Sequence, residues 1–87
     1  MTINDFIKWA KKRGGSHISY RTLRIGETKP RTNEIIHEVR VGGMFIRFNQ
    51  KGIGRINGNP FDVTKVNYAS PKDALLAMIH PEGYILF

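Results

Sequence analysis

Eighty-seven residues carry fourteen Lys and Arg against seven Asp and Glu, for a net charge of +7, and hold no cysteine. That length provides one core; the apolar content of 40 % excludes a disordered chain, and the missing thiols exclude disulfides and thiolate zinc sites. The longest apolar run, residues 74–79, is far too short to span a bilayer, and the first fifteen residues lack the apolar core of a secretory signal, so the expected location is cytoplasmic.

Thr2-Ile3-Asn4-Asp5 opens a helix: Thr2 caps it, and Asp5 three residues later completes a capping-box-like start. Ile3, Phe6, Ile7 and Ala10 fall on one face. Lys8 and Lys12 fall opposite, with Lys11 at the margin, Trp9 at the other edge of the apolar stripe and Arg13 one turn further on. Gly14-Gly15 ends the helix. Residues 16–25 alternate at first (Ile18, Tyr20, Thr22) and then change phase at Leu23 and Ile25, which predicts a strand with a bulge near Thr22-Leu23. Residues 26–33 form a polar loop containing Pro30.

Residues 34–49, EIIHEVRVGGMFIRFN, read as a hairpin closed by Gly42-Gly43. Folded there, Val41 meets Met44, Val39 meets Ile46 and His37 meets Phe48 on one face. Arg40 meets Phe45 and Glu38 meets Arg47 on the other. A slip by one residue would turn the apolar set outward, so the pattern specifies the register. The outer face then presents Ile36, Arg40, Phe45, Arg47 and Asn49, open to a base or a partner's side chain, or covered by a short edge strand over residues 84–87.

Residues 50–60, QKGIGRINGNP, are turn-rich, with Asn57-Gly58 a second hairpin dipeptide. A short strand through Ile53 and Ile56 running back into residues 61–68 would make a fourth strand, with Phe61 and Val63 on one face and Val66 and Tyr68 on the other. The GxGxxxG spacing from Gly52 to Gly58 has the wrong interval for a dinucleotide fingerprint and lacks a following helix. Ser70-Pro71-Lys72-Asp73 starts the last helix, with Ser70 as cap, Pro71 at its first position and Asp73 in its first turn. It continues through Ile79, with His80, Pro81 and Gly83 as its stop.

The expected fold is one α+β domain, residues 1–87, with an antiparallel sheet of three to four strands and two helices on one face, in αβββ(β)α order. Residues 1–31 hold eight of the basic residues and only two acidic ones. A basic end on a near-neutral body points to a polyanionic partner. The expected function is a non-enzymatic nucleic-acid-binding module, DNA or RNA, contacting phosphates through Lys8, Lys11, Lys12, Arg13, Arg21 and Arg24, with Lys51 and Arg55 from the glycine-rich loop. A protein-binding inhibitor or adaptor of a bacterial or phage kind, docking a basic face on an acidic partner, is the alternative. No cofactor, metal site or catalytic set is expected: the three histidines share no ligand spacing on one element, and no carboxylate pair stands out.

The run Gly15-Ser16-His17-Ile18-Ser19-Tyr20 resembles the GSHxxY run of HicA-type toxins, and residues 5–13 resemble their first helix. That resemblance implies a small ribonuclease with a double-stranded-RNA-binding-like αβββα fold and His17 as the catalytic histidine. Those toxins place a strand between the helix and the histidine run, whereas here Arg13-Gly14 leads straight into it.

Overall fold

The computed structural model describes residues 1–21 and 34–80. Chain order is α1 (Ile3–Lys12), β1 (Ser16–Arg21), β2 (Ile35–Val41), β3 (Met44–Asn49), β4 (Ile53–Ile56), β5 (Asn59–Asp62), a single 3₁₀ turn (Val63–Lys65) and α2 (Pro71–Ile79). The strands form one antiparallel sheet in sequence order, β1-β2-β3-β4-β5. Every connection inside the sheet is therefore to a neighbour.

The expected hairpin register holds at each position. Val41 faces Met44, Val39 faces Ile46, His37 faces Phe48, Arg40 faces Phe45 and Glu38 faces Arg47. Gly42 and Gly43 both take positive φ, 55° and 79°, as a two-residue turn matched to strand twist requires. Asn57-Gly58 repeats that solution (φ 47° and 85°) between β4 and β5.

The sheet has five strands rather than three or four, because residues 53–62 split into two short strands. β5 ends at Asp62, whose Oδ1 accepts from the Thr64 amide at 2.9 Å and the Thr64 hydroxyl at 2.7 Å. This closes the 3₁₀ turn and changes the phase of the chain. Val63 and Val66 are consequently both buried instead of facing opposite ways, and no strand runs on through Tyr68, which is exposed. Gly54 is a close approach: a Cβ there would collide with the Arg47 carbonyl oxygen on β3. Gly54 thus serves strand packing, while Gly52 and Gly58 take the positive φ of turns (81° and 85°).

One face of the sheet is covered. Val39, Val41, Ile46, Phe48, Ile56 and Phe61 from the strands meet Phe6 and Ala10 of α1, Leu75 of α2, and Val63 and Val66 in one cluster. α1 lies against β1 and β2, and α2 against β4 and β5. Phe6 sits at the centre, with its ring 5.9 Å from Trp9, 5.9 Å from Phe48 and 5.4 Å from Phe61. Such ring pairs each contribute about 0.5–1.5 kcal/mol beyond their burial.

The helix starts differ from one another. Thr2 Oγ1 accepts from the Asp5 amide at 3.1 Å, as expected of the cap. The Asp5 carboxylate, however, accepts from the Tyr68 hydroxyl at 2.7 Å, tying the start of α1 to the segment before α2. Ser70 precedes α2 but makes no side-chain cap bond; Pro71 and Asp73 stand where the sequence places them. His80 is the C-cap of α2. The expected bulge at Thr22-Leu23, the loop over residues 26–33, the stop at Pro81 and Gly83 and the edge strand over 84–87 lie outside the described residues. Among the described residues no helix is long and apolar enough to cross a membrane.

Candidate nucleic-acid interface

α1 buries Phe6 and Ala10 and exposes Lys8, Lys11, Lys12 and Arg13. The 3.6-residue period alone produces this separation. The helix is sharply finished: the Arg13 amide donates to the Ala10 carbonyl, the Gly14 amide to Lys11 and the Gly15 amide to Ala10. Lys11 and Lys12 stand in the last turn, with Arg13 as the C-cap. The Arg13 guanidinium lies 5.0 Å from the centroid of the Trp9 ring, a cation–π contact that holds the side chain against the helix.

Asp5, the one acidic residue of α1, sits in its first turn. The Tyr68 hydroxyl, with Thr2 and then Lys8, holds its carboxyl below the usual carboxylate range. The helix therefore has its negative charge occupied at the start and its positive charge crowded at the end. Lys8 belongs partly to Asp5; Lys11, Lys12 and Arg13 have no acidic neighbour along the helix.

Gly15 brings that end against the sheet. A Cβ there would lie 2.6 Å from the Arg40 carbonyl oxygen and 2.7 Å from that of Ala10. Ser16 then pairs with Arg40 in the ladder. Arg40 is exposed on the outer face, its guanidinium 4.9 Å from the Phe45 ring centroid. Lys11, Lys12 and Arg13 thus cluster where the helix end meets the sheet, while the Arg40 side chain belongs to the opposite, outer face.

The other expected contacts are dispersed. Arg21 ends β1, five residues from Ser16 and so about 17 Å along the strand. Lys51 occupies the β3–β4 turn, where Asn49 Oδ1 accepts from the Lys51 and Ile53 amides. Arg55 faces Arg47 across β3 and β4. Both line a shallow depression of about 330 Å³ shared with Glu34, Ile36 and Asn49. Arg24 lies outside the described residues. Among the described residues the outer face is balanced: Arg40, Arg47 and Arg55 stand among Glu34, Glu38 and Asp62. Arg47 lies 5.9 Å from the Tyr20 ring centroid, and Ile18 and Ile53 are 60 % and 48 % exposed.

The sequence pattern missed one pair. His17 Nε2 and His37 Nδ1 lie 2.9 Å apart. Their rings, at 23° to one another, occupy the inner face near the β1 edge, and His37 stacks in turn on Phe48 with centroids 5.2 Å apart. Burial lowers the pKa of both; the charges of His37 and Lys11 lower that of His17 further. Extending the hairpin register to β1 would have found the pair, since Ser19 faces His37 and His17 faces Val39, which makes the histidines diagonal neighbours. Among the described residues no three His, Cys, Asp or Glu side chains form a metal-holding group. His17 follows α1 with no strand between them, so the departure from the HicA-type order is present in the fold. Comparison with protein-family models, with curated proteins and with solved structures finds no match to this chain.

Proposed function

We propose that this protein is a small, non-enzymatic nucleic-acid-binding module that holds phosphates at the corner formed by the end of α1 and the start of the sheet. Lys11, Lys12 and Arg13 are the central contacts. Lys8, one turn back from Lys12, extends the strip. The observation that carries this reading is the run of three consecutive exposed cations on a rigid helix end whose only carboxylate is engaged elsewhere, by Tyr68. A single cation would satisfy the helix macrodipole, a gain of about 0.3–1 kcal/mol. Three exceed that need. Arg21, Lys51 and Arg55 stand apart and make at most peripheral contacts.

Titration with a short DNA or RNA duplex over a range of salt tests the proposal. Four or five phosphate contacts on B-DNA give a log–log slope of about −4. Changing Lys11, Lys12 and Arg13 together to Ala should flatten it by about 2 to 3 units, with similar loss across sequences. The nucleic acid should remain intact throughout. No measurable binding at low salt would refute the reading.

A protein-binding inhibitor or adaptor is the second reading. It is favoured by exposed Ile18 and Ile53 on a sheet face where arginines and carboxylates balance. Retention of one protein from nuclease-treated lysate, lost in Ile18→Asp with the α1 cations intact, would favour it over the first.

A further inference from the structure

We propose that His17 and His37 form a two-imidazole site for a divalent transition metal, of the tetragonal kind that copper(II) and nickel(II) prefer. The argument begins with spacing. Two nitrogens each about 2.0–2.1 Å from one ion are about 2.9 Å apart when they subtend a right angle, and about 3.3 Å apart at the tetrahedral angle. His17 Nε2 and His37 Nδ1 are 2.9 Å apart, a hydrogen bond in which one ring donates to the other, and an ion would take the place of the shared proton. In a right-angled site each metal–nitrogen bond makes about 45° with the line joining the nitrogens, so each ring must turn by about that angle for the lone pairs to converge.

The scaffold holds both ligands in place. β1 and β2 are locked in register on either side of the histidines, from Ser16–Arg40 to Arg21–Ile35. The His37 ring rests on Phe48, which is 1 % exposed, so the core keeps that ligand on the inner face while its ring turns. His17 is on β1, the first strand of the sheet among the described residues, and both rings remain part-exposed. Solvent can therefore fill the remaining coordination positions. Burial favours the neutral imidazole in both residues, and neutral imidazole is the form that ligates. With two protein ligands the site is exchangeable, and the fold stands without the metal because both rings are already packed. Lys11 is the opposing group: its charge reaches His17 and disfavours a dication there.

The test is calorimetric titration of the full chain with nickel(II) and copper(II) chloride at pH 7.5, with the copper(II) spectrum followed in parallel. One saturable equivalent is expected, with nitrogen ligation in the copper(II) spectrum. His17→Gln and His37→Phe should each abolish it, the latter keeping a ring on Phe48 so that the domain still melts cooperatively. His80→Ala should leave it unchanged. Lys11→Ala should tighten metal binding while weakening binding to a nucleic-acid duplex, two opposite responses from one substitution. Absence of saturable binding by the wild type would overturn the proposal, as would binding that survives both His17→Gln and His37→Phe.

Discussion

The two helices perform the same structural task and present opposite surfaces. α1 covers β1 and β2, and α2 covers β4 and β5, each burying a central apolar residue, Phe6 and Leu75. Outside, α1 ends in Lys11, Lys12 and Arg13 with Asp5 occupied at the other end, whereas α2 sets Lys72 beside Asp73 and has no basic residue in its last turn. α1 has a side-chain cap bond and α2 has none. Core formation places no demand on the charge of an outer face. A difference of this kind between two helices of equal structural rank is what the proposed phosphate contacts at the α1 end rest on.

The largest effects should test the shared task. Phe6→Ala removes a ring that meets Trp9, Phe48 and Phe61, and should cost roughly 3–5 kcal/mol. Leu75→Ala should cost about 2–5 kcal/mol. Thermal or urea unfolding measures both, and near-wild-type stability for either would show that helix to be dispensable to the core. Ile46→Asp, which buries an unpaired charge in the same cluster, should leave no folded domain to compare.

The next effect should separate the outer faces. The triple alanine change at Lys11, Lys12 and Arg13 should flatten the salt dependence of duplex binding, while Lys65→Ala with Lys72→Ala should leave the slope within about one unit of wild type. Equal losses from both variants would make the binding a property of net charge and erase the distinction between the helices.

Capping gives a smaller contrast. Thr2→Ala should cost about 1 kcal/mol, whereas Ser70→Ala, with no side-chain cap bond to lose, should stay within about 0.5 kcal/mol. Comparable losses in unfolding experiments would indicate that Ser70 caps α2 in solution.

The smallest effect is the pH dependence carried by the histidine pair of β1 and β2. Burial holds His17 and His37 below the ordinary value of 6.5, so in acid the unfolded chain binds more protons than the folded one. Their contribution to stability is complete above pH 6.5 and is lost as pH falls through the folded values. Stability measured from pH 8 to pH 5 should decline more steeply in the wild type than in the double variant His17→Gln, His37→Phe. Parallel curves would place the protons elsewhere.

The sequence by itself determined what local periodicity and turn chemistry specify. The register of residues 34–49 was readable because alternation with period two leaves one solution that buries Val39, Val41, Ile46 and Phe48 together, and Gly42-Gly43 fixes where the chain reverses. The cation cluster was readable because Lys11, Lys12 and Arg13 are consecutive on an amphipathic helix. β4 and β5 were harder to read, at four residues each, with Gly54 and Pro60 interrupting their pattern. Only the assembled sheet shows why both residues are tolerated. Gly54 sits where β3 leaves no room for a Cβ, and Pro60 lies on β5, the last strand of the sheet among the described residues, where a missing amide donor is cheap. The tertiary structure alone also set His17 against His37. Residues 20 or more apart in sequence meet there because strand pairing, a long-range interaction, carries one ladder's register into the next.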